Sequence, residues 1–360
     1  MRKHQGSNRR LKAGLVAAAG AAMIAVPAPA PAVAAPTALA AACDEAQIPA
    51  AILLNKTIPL VSDECDLRGK VVRAGVIGAA VPQKGEVVTA HALYVEGVKT
   101  GPDMPDSVSV RVDKGAVTVE VRHEGSVARG DGQPSGVSPG RSSGTKNNGS
   151  AQATAATPEC SQNAYSLMGR YNGYHKWYFK SDTVPAYFGG ANLAETDILS
   201  ASYNIDVGMN DCGLTQTMGT DFEYAGYTLD YPDITSTPAC DGARSNKNEV
   251  AFGPIDNTNI LAVTCGWSYS WPGDDPIQEA DILFANRPNQ FFYFLPSGCN
   301  QRYELQGVAT HEFGHAFGLD HVSESSYPAL TMSTNATSCS YRDSSLGLGD
   351  YNGLRAIYGS

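Results

Sequence analysis

Two short runs near the front of the chain, Ser107 to Val112 and Ala116 to Val121, carry valine at every second position and flank Asp113, Lys114 and Gly115. A period of two around a glycine-bearing turn predicts a β-hairpin. Val87 to Val95 reads as a third strand. From Ser126 to Pro158 the pattern stops: Gly, Ser, Pro, Asn and Thr dominate and large apolar residues are nearly absent, the composition of a flexible linker. Beyond Cys160 aromatic residues return, and Lys176 to Lys180 reads as a strand. Leu193, Ala194, Ile198, Ala201, Ser202 and Ile205 then fall at helical spacing, which predicts a helix over Asn192 to Ile205. Strand candidates follow at Asp221 to Leu229, Glu249 to Phe252, Asn259 to Thr264 and Glu279 to Ala285, then helices at Tyr303 to Phe317 and Gly349 to Tyr358. Strands and helices in this order predict an α+β fold.

The first 34 residues stand outside this pattern. Arg2, Lys3, Arg9, Arg10 and Lys12 precede an apolar stretch, Ala13 to Val26, and Ala32-Val33-Ala34 offers small residues for cleavage. These are the parts of a secretory signal, and the apolar stretch is too short to span a bilayer. Arg9-Arg10 raises a twin-arginine route, although its flanks fit general secretion better. The expected divisions are therefore a signal peptide over 1–34, a β-rich segment over 35–125, a linker over 126–158 and a second domain over 159–360.

Without the signal the chain carries 21 basic against 36 acidic side chains, which argues against nucleic acid as a partner. No later stretch is apolar enough for membrane insertion, so an extracellular monomer is expected. Eight cysteines, an even count beside an export signal, imply four disulfides. Cys43 with Cys65 is a plausible local pair, and Cys212 with Cys240 is a guess among the remaining six.

Chemistry concentrates between His311 and His321. Three of the chain's seven histidines lie in these eleven residues, as His311-Glu312-Phe313-Gly314-His315 and then His321. Residues four apart on a helix share a face, so His311 and His315 can reach one cation. Gly318 can take a positive φ, which lets the chain turn back and present His321 to the same ion. Three neutral imidazoles around Zn²⁺ leave the fourth tetrahedral position to water, and Glu312 is placed to take that water's proton and return it to a leaving amine. An isolated helical histidine is usually structural, but here five positions coincide.

This segment resembles the extended metzincin motif, and most closely that of matrixin-like secreted peptidases of bacteria. The resemblance covers roughly Cys160 to Ser360. It implies a metzincin catalytic domain with a mixed sheet of about five strands, an active-site helix, a Met-turn and a C-terminal helix, preceded by the small β-rich domain. It further implies a zinc-dependent endopeptidase acting on protein or peptide substrates, with His311, His315 and His321 as ligands and Glu312 as general base and acid. Met332, eleven residues after His321, sits where the family places its Met-turn. Asn259 to Thr264 is similar to the family's substrate-binding edge strand, with Leu261 and Ala262 at cleft-lining positions and an extended peptide pairing antiparallel to it. The alternative is a secreted, zinc-stabilised binding or structural protein with an inactive metzincin fold.

Some positions depart from the pattern. Val322 follows the third ligand where matrixins commonly carry serine, and Thr334 stands where astacin-like sites place a tyrosine. Asp320 keeps open the aspartate-ligand variant of snapalysin-type relatives. Only His175 remains for a second zinc site in this region, so one zinc is expected. Asp274, Asp275, Glu279 and Asp281 suggest calcium, although a solvated acidic loop explains them as well. The front segment is plausibly a pro-domain, the competing view being a retained binding module. Cys65 lacks the flanks of a cysteine switch, leaving His91, His123 or an aspartate as residues that could block the metal.

Overall fold

The computed structural model describes residues 37–124, 157–171, 175–216, 218–220, 222–242, 244–269 and 276–359. The signal segment, all but the last two linker residues, and Asp274 and Asp275 lie outside the described residues. Residues from Thr37 onward form one compact unit.

A ten-stranded sheet organises this unit, its strands in chain order being β1 (Ile58–Pro59), β2 (Glu86–Tyr94), β3 (Ser107–Asp113), β4 (Ala116–Arg122), β5 (Arg170–Tyr171), β6 (His175–Phe179), β7 (Phe222–Tyr227), β8 (Asn248–Gly253), β9 (Ile260–Tyr269) and β10 (Pro276–Ala285). Across the sheet they run β7-β6-β8-β10-β9-β2-β3-β4-β1, with β5 pairing beside β10. The hairpin of β3 and β4 turns through Lys114 (φ 50°) and Gly115 (φ 80°), the left-handed pair that suits two twisted strands. Strands β7, β6, β8 and β10 are parallel, and β9 returns antiparallel beside β10. These five strands are the mixed sheet that the resemblance implied.

The sheet does not stop at β9. Strand β2 pairs antiparallel along its whole length, from Ile260 opposite Tyr94 to Tyr269 opposite Glu86. The segment expected to offer a free edge at Asn259 to Thr264 is thus an interior strand, because β2 supplies the main-chain partners an edge would lack.

Three long helices, α1 (Ala191–Val207), α2 (Leu305–Ala316) and α3 (Leu348–Tyr358), share one buried cluster with the strands. Trp177 of β6 meets Phe313 of α2 at 5.0 Å, and Phe222 of β7 meets Phe317 at 4.7 Å. Alternation along the strands sends neighbours the other way: Val250 and Phe252 join the helices, while Ala251 enters a second cluster with Val88, Val108, Val117 and Trp267. Front strands and the back of the catalytic sheet therefore share a core. Among the described residues no helix is long and apolar enough to cross a membrane.

Four disulfides close the unit. Cys43–Cys65 is the expected local pair. The guess of Cys212 with Cys240 is corrected: Cys212 binds Cys160, Cys240 binds Cys265, and Cys299 binds Cys339. Cys240 ends a two-residue strand that pairs with Gly78 and Ala79 and packs behind β9, which brings it to Cys265 and away from the end of α1.

One buried carboxyl gives the fold a pH signature. Asp197 on α1 is almost fully buried with Oδ2 unpartnered, and burial, aided by the charge of Glu304, pushes it up to about 8. An unfolded chain releases this proton near pH 4, whereas the native state holds it until about 8. Native stability from this group is therefore complete below pH 4 and is lost as pH rises through 8. Urea unfolding should show Asp197→Asn gaining on the wild type between pH 5 and pH 8, by up to about 1.4 kcal/mol per pH unit. A constant difference across that range would refute the assignment.

Candidate active site

Helix α2 is buried along nearly its whole length, and it places His311 and His315 one turn apart. The helix ends as Phe317 N–H donates to the Phe313 carbonyl (2.8 Å) and Gly318 N–H to that of His315 (2.9 Å). Gly318 then takes φ +99°, and a side chain here would overlap the Gly169 carbonyl. The chain turns back through Leu319 and Asp320, which pair antiparallel with Leu167 and Ser166, and delivers His321.

The three imidazoles converge. Their Nε2 atoms lie 3.0 Å from one another in each of the three pairings. These contacts cannot all be hydrogen bonds, because His311 Nδ1 faces the Thr331 carbonyl at 2.7 Å and His315 Nδ1 faces that of Leu319 at 2.9 Å. A carbonyl only accepts, so both Nδ1 atoms carry the proton and both Nε2 atoms present lone pairs. Burial holds all three histidines well below the ordinary imidazole pKa, hence neutral. Neutral lone pairs aimed at one point repel unless a cation joins them. Zinc–nitrogen bonds of about 2.0–2.1 Å set ligand nitrogens roughly 3.3 Å apart, close to the spacing here. The donor set fits one zinc, with His321 and not Asp320 as third member: Asp320 is engaged by Arg122 and by the N–H of His321.

Glu312, on the same helix, is fully buried. Thr264 of β9 donates to its Oε2 at 2.5 Å, and Oε1 has no partner. Burial pushes this carboxyl up to about 8 against the opposing pull of the Thr264 bond. Beneath the helix lies Met332, so close to Gly314 that any side chain at that glycine would collide with its sulfur. The Met332 turn is anchored from α3: Asp350 accepts from Thr331 N–H (2.8 Å) and Met332 N–H (3.2 Å).

Residues from the front segment reach the same place. His91 of β2 stacks on His315 with ring centres 4.2 Å apart and meets His321 edge-on at 5.6 Å. Its Nδ1 is 3.6 Å from Asp320, but burial lowers His91 to about 3, so it is neutral and forms no ion pair. Leu261 and Ala262, expected to line a cleft, are both fully buried, with Ala262 opposite Leu93 of β2. His123 is not in this cluster, and Cys65 is locked to Cys43 and supplies no thiolate.

The matrixin family model matches residues 162–359, the stretch that holds the helix, the turn and all three histidines. The chain belongs to the matrixin family of metallopeptidases. No curated protein matches the chain. In this matrixin Val322 donates its N–H to the Met332 carbonyl at 3.0 Å, which ties the segment after the third histidine to the floor of the site. Sequence reasoning missed Thr264 and Asp350. Thr264 lies two residues after Ala262 on the same strand face, and Asp350 at the third position of a helix is a capping signal; nothing in the spacing named their partners.

A second acidic cluster in the matrixin unit joins Glu279 and Asp281 to Asp233, with carboxylate oxygens within 4.8 Å of one another. Asp281 accepts from the N–H groups of Asp233 (2.6 Å) and Glu249 (2.9 Å), and burial raises Glu279 to about 8. Oxygen donors of this kind suit a hard cation such as calcium.

Gly318→Ala should lower the stability of the metal-free protein by at least about 1–3 kcal/mol, from the positive φ alone, and weaken zinc retention with it. Thermal unfolding with and without chelator measures both effects. An unchanged melting temperature would show that the turn does not depend on glycine.

Proposed function

We propose that this matrixin is a secreted, zinc-dependent endopeptidase in which Glu312 moves the protons of peptide hydrolysis. The observation that carries the proposal is the convergence of the Nε2 atoms of His311, His315 and His321 beside the buried carboxyl of Glu312. When bound, zinc would supply a Lewis acid that acidifies water and polarises the peptide carbonyl. Glu312 takes the water's proton on its unpartnered Oε1 while Thr264 holds Oε2 in place. The same carboxyl then passes that proton to the leaving amine. Main-chain groups of β9 around Leu261 and Ala262 hold the substrate in extended form.

Export follows from the basic and apolar segment over 1–34, and four disulfides accord with an oxidising destination. Residues 35–125 act as a pro-segment, removed through the linker at 126–158. Calcium, where it binds, takes Asp233, Glu279 and Asp281.

Glu312→Gln should keep one zinc per chain and lose about 10²–10⁴-fold in hydrolysis of a peptide library by the secreted protein. His315→Ala should lose the zinc itself, read by elemental analysis. Wild-type rates from Glu312→Gln would refute the mechanism. A zinc-loaded, secreted wild type that cleaves nothing in the library would favour the zinc-stabilised binding protein. Intact-mass measurement of the secreted product should find the front segment absent; its presence would favour a retained module.

A further inference from the structure

The segment between β10 and α2 carries apolar side chains that the fold leaves in solvent. Phe294 is 74% exposed, and Leu295 and the neighbouring Tyr341 are exposed as well. Single exposed apolar residues are ordinary, whereas a contiguous set marks a surface that meets a partner. We infer that Phe294 and Leu295 form a docking ridge for the downstream part of a polypeptide substrate, the residues that follow the cleaved bond. The inference rests on the zinc-peptidase reading above and adds the class of substrate: long extended chains with apolar residues several positions after the cut, in preference to short peptides.

The ridge stands on a fixed base. Phe291 is fully buried and pairs with Tyr303 ahead of α2, while Phe292, buried too, meets Tyr341 edge-on at 5.7 Å. Leu295 N–H donates to Tyr341 Oη at 2.6 Å, and the rings of Tyr293 and Phe294 meet edge-on at 4.6 Å. From the other side Cys299 is bonded to Cys339, whose N–H donates to the Arg302 carbonyl at 2.8 Å. Phe294 and Leu295 themselves join neither buried cluster. A surface anchored in this way loses little entropy on binding, because no loop has to be ordered first.

Its place relative to β9 identifies the occupant. A peptide antiparallel to β9 runs from the Tyr269 end toward the Ile260 end, so the residues after the cut leave the sheet at Ile260. There Arg287 donates to the carbonyls of Ile255 (3.3 Å), Asn257 (3.2 Å) and Ile260, and its Nε donates to Gln290 Oε1 at 2.6 Å. That fork joins the exit end of β9 to the segment leading into the ridge.

Strand β2 traces the line of a chain with this direction. His91 is level with Thr264, the partner of Glu312. Farther on, Val95 N–H donates to the Asn259 carbonyl at 2.9 Å, Glu96 N–H donates to Tyr303 Oη at 3.0 Å, and the Glu96 carboxylate accepts from Ser338 Oγ. Five residues beyond the level of Thr264, an extended chain has thus reached Tyr303 and Ser338, next to the Cys299–Cys339 bridge. The ridge lies past that point. Phe294 and Leu295 stay exposed with the front strands in place, so the described front segment is not what covers them. With 36 acidic against 26 basic side chains, the protein is not drawn to an anionic membrane either.

Two peptides sharing one cleaved core from the library test the ridge on the secreted, active protein. The short one ends about three residues after the cut, and the long one continues to about the twelfth, at roughly 3.3 Å per extended residue, with Leu and Phe in the added part. The wild type should show a KM for the long peptide at least about tenfold below that for the short one, at similar kcat. Phe294→Ser combined with Leu295→Ser should remove that advantage and leave cleavage of the short peptide, which ends before the ridge, as it was. Phe294→Leu should keep most of the advantage, and a long peptide with serine for the added Leu and Phe should behave as the short one does. Equal KM values for the two peptides in the wild type, or a long-peptide KM indifferent to the double variant, would overturn the inference and leave the peptidase reading standing, even if the variant lost a dimer in sedimentation or binding to phosphatidylcholine vesicles. A wild type that cleaves neither peptide would overturn both.

Discussion

Two backbone carbonyls decide the chemistry of this site. Thr331 and Leu319 each accept from the Nδ1 of a metal-site histidine, and by doing so they fix the tautomer that leaves Nε2 bare. Everything that holds those carbonyls in place therefore supports the histidine cluster. Thr331 is held by Asp350 of α3, and Leu319 by its pairing with Leu167 just ahead of β5. The last helix and the first turns of the matrixin part thus bear on the histidine cluster through one peptide group each.

Glycine makes that arrangement possible at two points. Gly314 lets Met332 pack directly beneath the helix, and Gly318 lets the chain pass under the Gly169 carbonyl at a positive φ. Neither role is about flexibility. Each is a volume restriction: a single added carbon would lift the helix off its floor or push His321 away from His311 and His315. Glu312 has a different support, Thr264, whose hydroxyl ties its carboxyl to β9.

Much of this arrangement is legible in the order of the residues alone. The period of two in the valine runs marks the β3–β4 hairpin to within a residue or two, and helical spacing marks α1, because both patterns record which face is buried. The histidine cluster is legible for a different reason: its three members come from one helix and one turn, so sequence spacing is nearly spatial spacing. Where groups from distant segments meet, that equivalence fails. Val87 to Val95 reads as a strand from its residues, but nothing in them shows that the strand lies on β9, since strand-forming residues do not name the neighbour. The same gap explains the mistaken pairing of Cys212 with Cys240, and why Asp233 goes unnoticed beside Glu279 and Asp281.

The shared core constrains what release of the front segment entails. Val263, Trp267 and Leu283 of the catalytic sheet bury their side chains against Val88, Val108 and Val110 of the front strands, so departure of those strands uncovers an apolar face. Burial of such surface is worth about 25 cal/mol per Å², which makes the closed form strongly preferred over a simply dissociated one. On the pro-segment reading, a cut between the front strands and the matrixin part would by itself leave that preference intact, and β9 would become an edge only once β2 to β4 were degraded or unfolded. The catalytic part carries its own reinforcement on the face that loses cover, where Cys240–Cys265 pins β9 to the loop before β8. That covalent tie would remain on β9 without β2, one residue from Thr264 and its bond to Glu312.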